Sequence, residues 1–324
     1  MPIPSEIILT LKMLKGIGNK TILKLVQQAK CGINNLDELI CFWATLKGKT
    51  FEKITDDDLV EAYRSAIRII SKSSEHGIGV FTYFDDSYPN ILKECTDETG
   101  KLDPPILLYY RGNLDVLKSP GVAVIGTREP TENGVKAGLY FSELFAAKGY
   151  NIVSGLAIGC DTTGHKGALQ AGGITTAFLA NGLDWESIYP KENLELAKRI
   201  VANNGLLLSE YPVGQSCGTY GLVARDRLQA GLSLATIVIQ TSINGGTMHA
   251  VNATIASKKP LFVVRYNSQT DKEHEKVLGN AYLVKEKGAY PLQSTTFDSA
   301  IEIINASRKR EPQSQMNPKS LFDL

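Results

Sequence analysis

The chain has 324 residues, of which 43% are hydrophobic, and a formal net charge of +1 at pH 7. This length favours two domains, and no apolar run is long enough to span a bilayer, so we predict no membrane partner. Because the whole chain is nearly neutral, a nucleic-acid partner would require a local basic patch.

The N-terminal segment and the cysteines indicate the compartment. The first residues, MPIPSEIILTLKMLK, lack the continuous apolar segment and the cleavage site of a signal peptide. Five cysteines are scattered without CxxC spacing. This pattern is typical of reduced thiols and disfavours a zinc site, so we predict a cytoplasmic protein with no metal and no cofactor.

Residues 1–72 have the pattern of a small all-helical domain. Two apolar helical stretches flank Gly16-Ile17-Gly18, which is typical of a helix-hairpin-helix or SAM-like module. In such a hairpin the glycines free backbone amides to contact a DNA phosphate, and Lys15, Lys20 and Lys24 are placed to help. We slightly favour the alternative, a protein-interaction module whose glycines only form the turn.

Residues 76–305 alternate between short apolar runs and helical periodicity, which predicts a doubly wound, mostly parallel α/β sheet. The predicted strands are 79–83, 106–110, 122–125, 152–153, 174–180, 206–208, 236–239 and 261–264. The predicted helices are 133–148, one after Asp161, one ending near 203, 247–257 and 297–305. Residues 306–324 are polar and basic and contain proline, so we predict a disordered tail.

The turn after the strand 122–125 is the first candidate site. In a β-α-β unit this turn points backbone N–H groups and a helix N-terminus at an anion. The dinucleotide fingerprint G-x-G-x-x-G is absent, and Gly126, Thr127 and Arg128 instead supply a small residue, a hydroxyl and a guanidinium. This set suits phosphate. From this loop alone, an Arg128 that only caps or salt-bridges the next helix is equally favoured.

Two more strand-end loops have the same character. Ser154-Gly155 follows one predicted strand, and Asn244-Gly245-Gly246-Thr247 follows another. Because strand C-termini meet at one sheet edge, we expect all three loops to converge on one pocket. Backbone amides, hydroxyls and a few cations would make that pocket complementary to a phosphodiester or a nucleotide.

Two further groups carry charge near the predicted loops. Asp161 and His165 lie four residues apart on a predicted helix and could form a metal pair or an acid/base dyad. With no third ligand, we favour an N-cap aspartate and a histidine that orders the loop. Arg225 and Arg227 flank Asp226 at the predicted start of a helix, where Asp226 would satisfy the N-terminal amides. A surface charge cluster is the alternative.

The order of these motifs resembles the DNA-processing protein A family of bacteria (DprA, also called Smf). The resemblance covers roughly residues 83–289. The matching stretches are PPILLYYRGNLDVL, AVIGTREPTENG, IVSGLAIGCDTTGHKGAL, the NGLD and YPKEN pair, LLSEYP, ARDRLQAGLS, the GGT loop and GNAYLVKEKGA.

The resemblance implies a Rossmann-like fold and a homodimer. It also implies a protein that binds single-stranded DNA, protects incoming DNA and helps to load a RecA-type recombinase during transformation, with no catalytic step. By position, it assigns the following residues to the DNA groove: Gly126, Arg128, Ser154, Gly155, Lys191, Gly245, Gly246 and Thr247. Arg225 and Arg227 match the two arginines of the family's Arg-Asn-Arg turn.

The chain departs from the family pattern at strand ends, where ligand choice is made. Asp226 replaces the Asn of Arg-Asn-Arg, Gln240 replaces a Glu, and Arg265 stands where Pro-Gly is usual. The alternative function is therefore a nucleotide-binding or nucleotide-hydrolysing member of the same Rossmann-like superfamily. Phosphoribohydrolase relatives follow their glycine turn with a catalytic glutamate, whereas Met248-His249-Ala250 stands here. We therefore predict binding and no enzymatic activity.

Overall fold

A computed structural model describes residues 3–29 and 32–310, which begin with four helices. These are α1 (Ser5–Met13), α2 (Asn19–Gln28), α3 (Leu36–Trp43) and α4 (Asp56–Glu75). The turn between α1 and α2 passes through Gly16, whose φ of +85° lies in the left-handed region. Thr55 and Asp58 form a capping box that begins α4. Because α4 continues to Glu75, the domain boundary predicted at residue 72 falls inside a helix.

The helical part and the sheet share one apolar core. Leu11, Leu39 and Leu59 of the helices belong to the same buried cluster as Leu107 and Leu207 of the sheet. The division of the chain into separate domains therefore stays a prediction.

The described residues form a nine-stranded sheet in the order β1-β2-β6-β5-β4-β3-β7-β8-β9. Its strands are β1 (Gly79–Thr82), β2 (Leu107–Gly112), β3 (Gly121–Ile125), β4 (Asn151–Ser154), β5 (Thr175–Leu179), β6 (Leu206–Ser209), β7 (Ala235–Val238), β8 (Leu261–Val264) and β9 (Tyr290–Leu292). The strands β3 to β9 pair in parallel, whereas β2 is antiparallel to both β1 and β6. Every residue of β3 is buried, which explains its continuous apolar run.

The remaining helices of the described residues lie between or after the strands, and most of them connect parallel strands. They are α5 (Asn90–Lys93), α6 (Glu132–Ala147), α7 (Cys160–Gln170), α8 (Leu194–Ala202), α9 (Thr219–Leu232), α10 (Thr247–Ala256), α11 (Gln269–Glu273), α12 (Leu278–Lys287) and α13 (Phe297–Arg310). This architecture confirms the predicted Rossmann-like fold. The predicted tail is wrong for residues 306–310, which extend α13, and its remainder lies outside the described residues. None of the helices in the described ranges is both long and apolar enough to cross a membrane.

The strand order reverses beside β3. The chain proceeds from β3 through β4 and β5 to β6 on one side, and then continues from β7 to β9 on the other side. The helices that follow β3 and β7 pack on opposite faces of the sheet, so the two loops that lead into them begin side by side and leave a crevice between them. In doubly wound folds ligands bind in the crevice at this topological switch point.

Candidate functional site

A cleft of about 570 Å³ opens at the switch point between β3 and β7. Loops after both strands, α9 and Lys276 form its walls. The cleft brings together seven of the residues predicted to bind DNA or phosphate: Gly126, Thr127, Arg128, Arg225, Gly245, Gly246 and Thr247. The first and third predicted loops thus converge as expected.

The first loop is held rigidly by its backbone. The Thr127 N–H donates to the Gln240 carbonyl at 2.7 Å, and the Cys160 N–H donates to the Thr127 carbonyl at 3.1 Å. A Cβ at Gly126 would lie 2.6 Å from the Cys160 sulfur, so close packing requires this glycine. Arg128 extends from this fixed loop, is exposed, and makes no ion pair with the residues that the structure describes. Thr131, and not Arg128, caps α6.

Two side-chain amides fix the beginning of the connection that follows β7. The Gln240 amide accepts from the Thr131 N–H at 2.9 Å and donates to the Thr131 hydroxyl at 2.8 Å. The Asn280 Oδ1 accepts from the Thr241 N–H at 2.9 Å. Neither role was predicted from the sequence. The one sequence feature that could have indicated it is a polar side chain, Gln240, directly after an apolar strand.

The second loop contributes less to the cleft than predicted. Ser154 is fully buried, and its hydroxyl donates to the Val124 carbonyl of β3 at 2.6 Å, so Ser154 does not face a ligand. Asp161 accepts from the N–H groups of Gly155 and Ala157, both at 3.2 Å. The N-cap of α7 is Gly159, so Asp161 orders the loop without being the predicted N-cap.

His165 has no part in this loop. Its Nδ1 lies 2.7 Å from the Thr175 hydroxyl, at the first residue of β5 and therefore at the opposite edge of the sheet. Burial lowers the pKa of His165 to about 3, which keeps the ring neutral. The prediction that His165 orders this loop is therefore wrong, and His165 does not form an acid/base dyad with Asp161. No group of three potential metal ligands occurs within residues 3–29 and 32–310.

The two predicted arginines point in different directions. Since α9 begins at Thr219, Arg225 and Arg227 lie in mid-helix and not at its start, and Asp226 does not reach the N-terminal amides. Residues two apart are separated by about 200° around a helix axis. Arg225 therefore lies in the cleft floor, where its guanidinium donates to the carbonyls of Gly155 and Phe178.

Arg227 is buried on the other side of α9 and does not line the cleft. It pairs with both oxygens of Glu210, at 2.9 and 3.1 Å, and with an Asp103 oxygen at 2.6 Å. Burial opposes the charge, but Glu210 and Asp103 outweigh it and raise the pKa of Arg227. Arg227 thus connects parts of the fold, and its assignment to the DNA groove stays a prediction.

Lys191 lies near the cleft but outside it. It begins a short 3₁₀ turn, is exposed, and donates to the Glu186 carbonyl. The neighbouring residues Tyr189 and Pro190 line a side groove of about 150 Å³ that shares Arg128 and Arg225 with the cleft. Lys191 could thus contact only a ligand that extends beyond the cleft.

The charges in the cleft wall are balanced. Arg128, Arg225 and Lys276 face Glu129, Asp161 and Asp226. Lys276 pairs with Glu129 at 3.1 Å, and His249 in the same wall lies 2.8 Å from Glu98. Among the cations of the cleft in the described residues, Arg128 alone makes no ion pair.

The fold and the cleft define the class of a Rossmann-like α/β protein with a cleft at the switch point and a helical N-terminal part. Residues 79–304 match the family of DNA recombination-mediator protein A. The chain belongs to this family, which confirms the resemblance found in the sequence.

Individual relatives agree with this assignment. The chain is 35% identical to Protein Smf of Synechocystis over 64% of its length and 54% of that protein. It is 38% identical to DNA processing protein DprA of Streptococcus pneumoniae over 57% of its length and 62% of that protein. The chain thus matches between about half and two thirds of these relatives.

Two solved structures are similar to the chain. DNA processing protein A of Streptococcus pneumoniae has a TM-score of 0.72 at 28% identity, covering 93% of this chain and 98% of that one. DNA processing protein A of Helicobacter pylori, described with a unique single-stranded DNA binding mode, has a TM-score of 0.58 at 28% identity, covering 69% and 96%.

Proposed function

We propose that this chain binds single-stranded DNA at the switch-point cleft. As a cytoplasmic homodimer, it would protect incoming DNA and assist the loading of a RecA-type recombinase during transformation or recombination. Membership of the DNA recombination-mediator protein A family supports the proposal, as does the single-stranded DNA binding mode described for the Helicobacter pylori relative.

One observation carries the proposal. Arg128 projects from a loop fixed by two backbone hydrogen bonds into the crevice where the loops after β3 and β7 meet. An exposed guanidinium without a protein carboxylate is suited to a phosphate oxygen. Tyr189 and Tyr220, exposed by 48% and 93%, lie on elements that border the cleft and could stack on bases.

Fluorescence anisotropy of a labelled oligothymidylate at two salt concentrations tests the proposal. We expect affinity that falls with salt, with each phosphate contact adding about 0.7 to the slope of log affinity against log salt. Unlabelled single strands should compete strongly and duplex DNA weakly. Absence of binding at low salt would refute the proposal.

A nucleotide is the second candidate ligand, and the balanced charge of the cleft favours it. A long polyanion needs a net positive track, whereas this cleft pairs most of its cations. Its volume of about 570 Å³ lies within the usual range for small-molecule sites. Displacement of the oligonucleotide by an equimolar mononucleotide would support this candidate.

The Gly155→Ala variant tests whether Arg225 positions the ligand. A Cβ at Gly155 would lie 2.5 Å from the Arg225 Cζ, so the buried guanidinium would have to move. We expect the affinity for oligothymidylate to fall several-fold while the far-ultraviolet circular dichroism stays unchanged. Gly218→Ala at the N-cap of α9 is the matched control, because Gly218 does not line the cleft and its added methyl group would meet no atom within 4 Å. Equal affinities of the two variants would contradict a role for Arg225.

Dimerisation and recombinase loading need separate measurements. Sedimentation equilibrium should give twice the chain mass of 35.3 kDa. The protein should also accelerate recombinase assembly on a strand already covered by a single-strand-binding protein. A monomer, or an unchanged assembly rate, would contradict the corresponding part of the proposal.

A further inference from the structure

Two carboxylates share one cation in the floor of the cleft. The Arg225 guanidinium lies 3.8 Å from Asp161 and 3.5 Å from Asp226, measured between the nearest nitrogen and oxygen atoms. The three side chains are only 8%, 8% and 17% exposed. With all three groups ionised, this part of the cleft carries one excess negative charge. An anionic ligand would be repelled by that charge at short range.

The two carboxylates are not equivalent. Asp161 accepts two backbone N–H groups, from Gly155 and Ala157, which stabilise its ionised form. Within the described residues, Asp226 accepts one hydrogen bond, from the Gln229 amide at 3.0 Å. It also pairs with Arg225, but the Arg225 Nε makes no hydrogen bond in the described part of the chain. Burial raises the pKa of both carboxyl groups, but Asp226 has fewer hydrogen bonds to lose when it takes up a proton.

Other charged groups line the same cleft as Asp226. They are Arg128, Glu129, Lys276 and His249 of α10, and His249 is paired with Glu98. Burial raises the pKa of Asp226 to about 6, with Asp161 acting in the same direction and Arg225 and His249 against it. Proton uptake near neutral pH is thus within reach of this side chain.

We propose that Asp226 couples phosphate binding in this cleft to the uptake of one proton from solvent. The carboxylate is ionised in the empty cleft and neutral when a phosphodiester lies beside it, which removes the excess negative charge. The inference rests on the proposed function, since it concerns the same cleft. The Asn of the family's Arg-Asn-Arg turn, to which residues 225–227 are similar, would need no such proton.

Oligothymidylate affinity measured from pH 5.5 to 8.5 at constant ionic strength tests the coupling. Full coupling to one proton changes affinity by about tenfold per pH unit, so affinity of the natural chain should fall as pH rises above about 6. Asp226→Asn should bind more tightly than the natural chain at pH 8 and should lose this dependence. His249→Gln should keep the dependence, because the histidine only modulates Asp226.

Three outcomes overturn the inference in different ways. Tight binding by the natural chain with no pH dependence refutes proton coupling and leaves the proposed function intact. A dependence that disappears in His249→Gln and persists in Asp226→Asn assigns the proton to the histidine. No binding by any variant at any pH refutes the proposed function itself.

Thermal unfolding provides a second readout that does not require DNA. Because the folded-state pKa of Asp226 is raised from 3.8 to about 6, its stabilising contribution is present below pH 3.8 and is lost as pH rises through about 6. Asp226→Asn should therefore have a higher melting temperature than the natural chain at pH 8, with a smaller difference at pH 5. An Asn variant that is less stable at pH 8 would show that the ionised carboxylate is needed.

Discussion

Replacing Arg227 by alanine is expected to lower the free energy of unfolding by about 3–5 kcal/mol, because it leaves a buried carboxylate without its partner. The arginine is 8% exposed and holds both oxygens of Glu210. It also pairs with Asp103, in the segment before β2, and thereby ties three parts of the chain together. Urea unfolding at pH 7 measures the loss.

The pH dependence of this loss follows from Glu210. Burial acts to raise the pKa of Glu210, but Arg227 outweighs burial and holds this pKa below the usual 4.5. The ion pair therefore stabilises the fold above pH 4.5, and this stability is lost as the pH falls through the pKa of Glu210 in the folded state. Without Arg227, burial becomes the largest influence on the Glu210 carboxyl, with Lys12 opposing it, and favours its protonation. The difference between the natural chain and Arg227→Ala should therefore shrink as the pH falls from 7 to 4.

An exposed ion pair provides the control for this prediction. Lys118 and Asp115 lie 2.6 Å apart with side chains 82% and 72% exposed. Lys118→Ala should lower the free energy of unfolding by about 0–1 kcal/mol, as is usual for surface pairs.

The Arg227→Ala variant should bind oligothymidylate as tightly as the natural chain, because Arg227 lies outside the cleft. The affinity is measured at a temperature at which the variant is folded. A loss of affinity with unchanged stability would instead support the groove role predicted from the family pattern.

The parallel part of the fold was predictable because its strands are buried on both faces. Such strands read as continuous apolar runs, as in β3, where all five residues are buried. The convergence of the loops after β3 and β7 then follows from topology alone. The α12 and β9 elements were not predicted. Gly279 and Asn280 weaken the helical pattern of α12, and Pro291 lies in the three-residue edge strand β9.

Side-chain direction was not predictable from the motifs. Arg225 and Arg227 lie two residues apart in the family pattern, but both are in mid-helix, where residues two apart face different sides, so only Arg225 lies in the cleft. Ser154 has the residue type of a ligand-binding loop, but its hydroxyl bonds the neighbouring strand. These outcomes depend on long-range contacts, and a local sequence pattern does not specify which carboxylate or carbonyl a polar group will meet.

Replacing Arg128 by alanine is expected to weaken oligothymidylate binding by about ten- to a hundredfold, the equivalent of one hydrogen-bonded contact to a charged group at about 1.5–3 kcal/mol. The slope of log affinity against log salt should fall by about 0.7, since one fewer phosphate is neutralised. The expectation follows from two properties of Arg128. Its loop is fixed at Thr127 by hydrogen bonds to Gln240 and Cys160, and its guanidinium makes no ion pair in the described part of the chain.

Variants at two positions separate charge from geometry in this prediction. Arg128→Lys keeps the charge but loses the planar fork that binds two phosphate oxygens, so its affinity should lie between those of the natural chain and Arg128→Ala. Arg199→Ala is the matched control. This exposed arginine lies near the C-terminal end of α8, which leads into the first residue of β6. Because β6 pairs in parallel with β5, that end of α8 lies at the sheet edge opposite the cleft. If Arg128→Ala and Arg199→Ala bind alike, the nucleic acid does not lie in the switch-point cleft. The single strand would then have to follow another surface of the chain. The balanced charge of the cleft would in that case favour a small nucleotide as the ligand of the cleft.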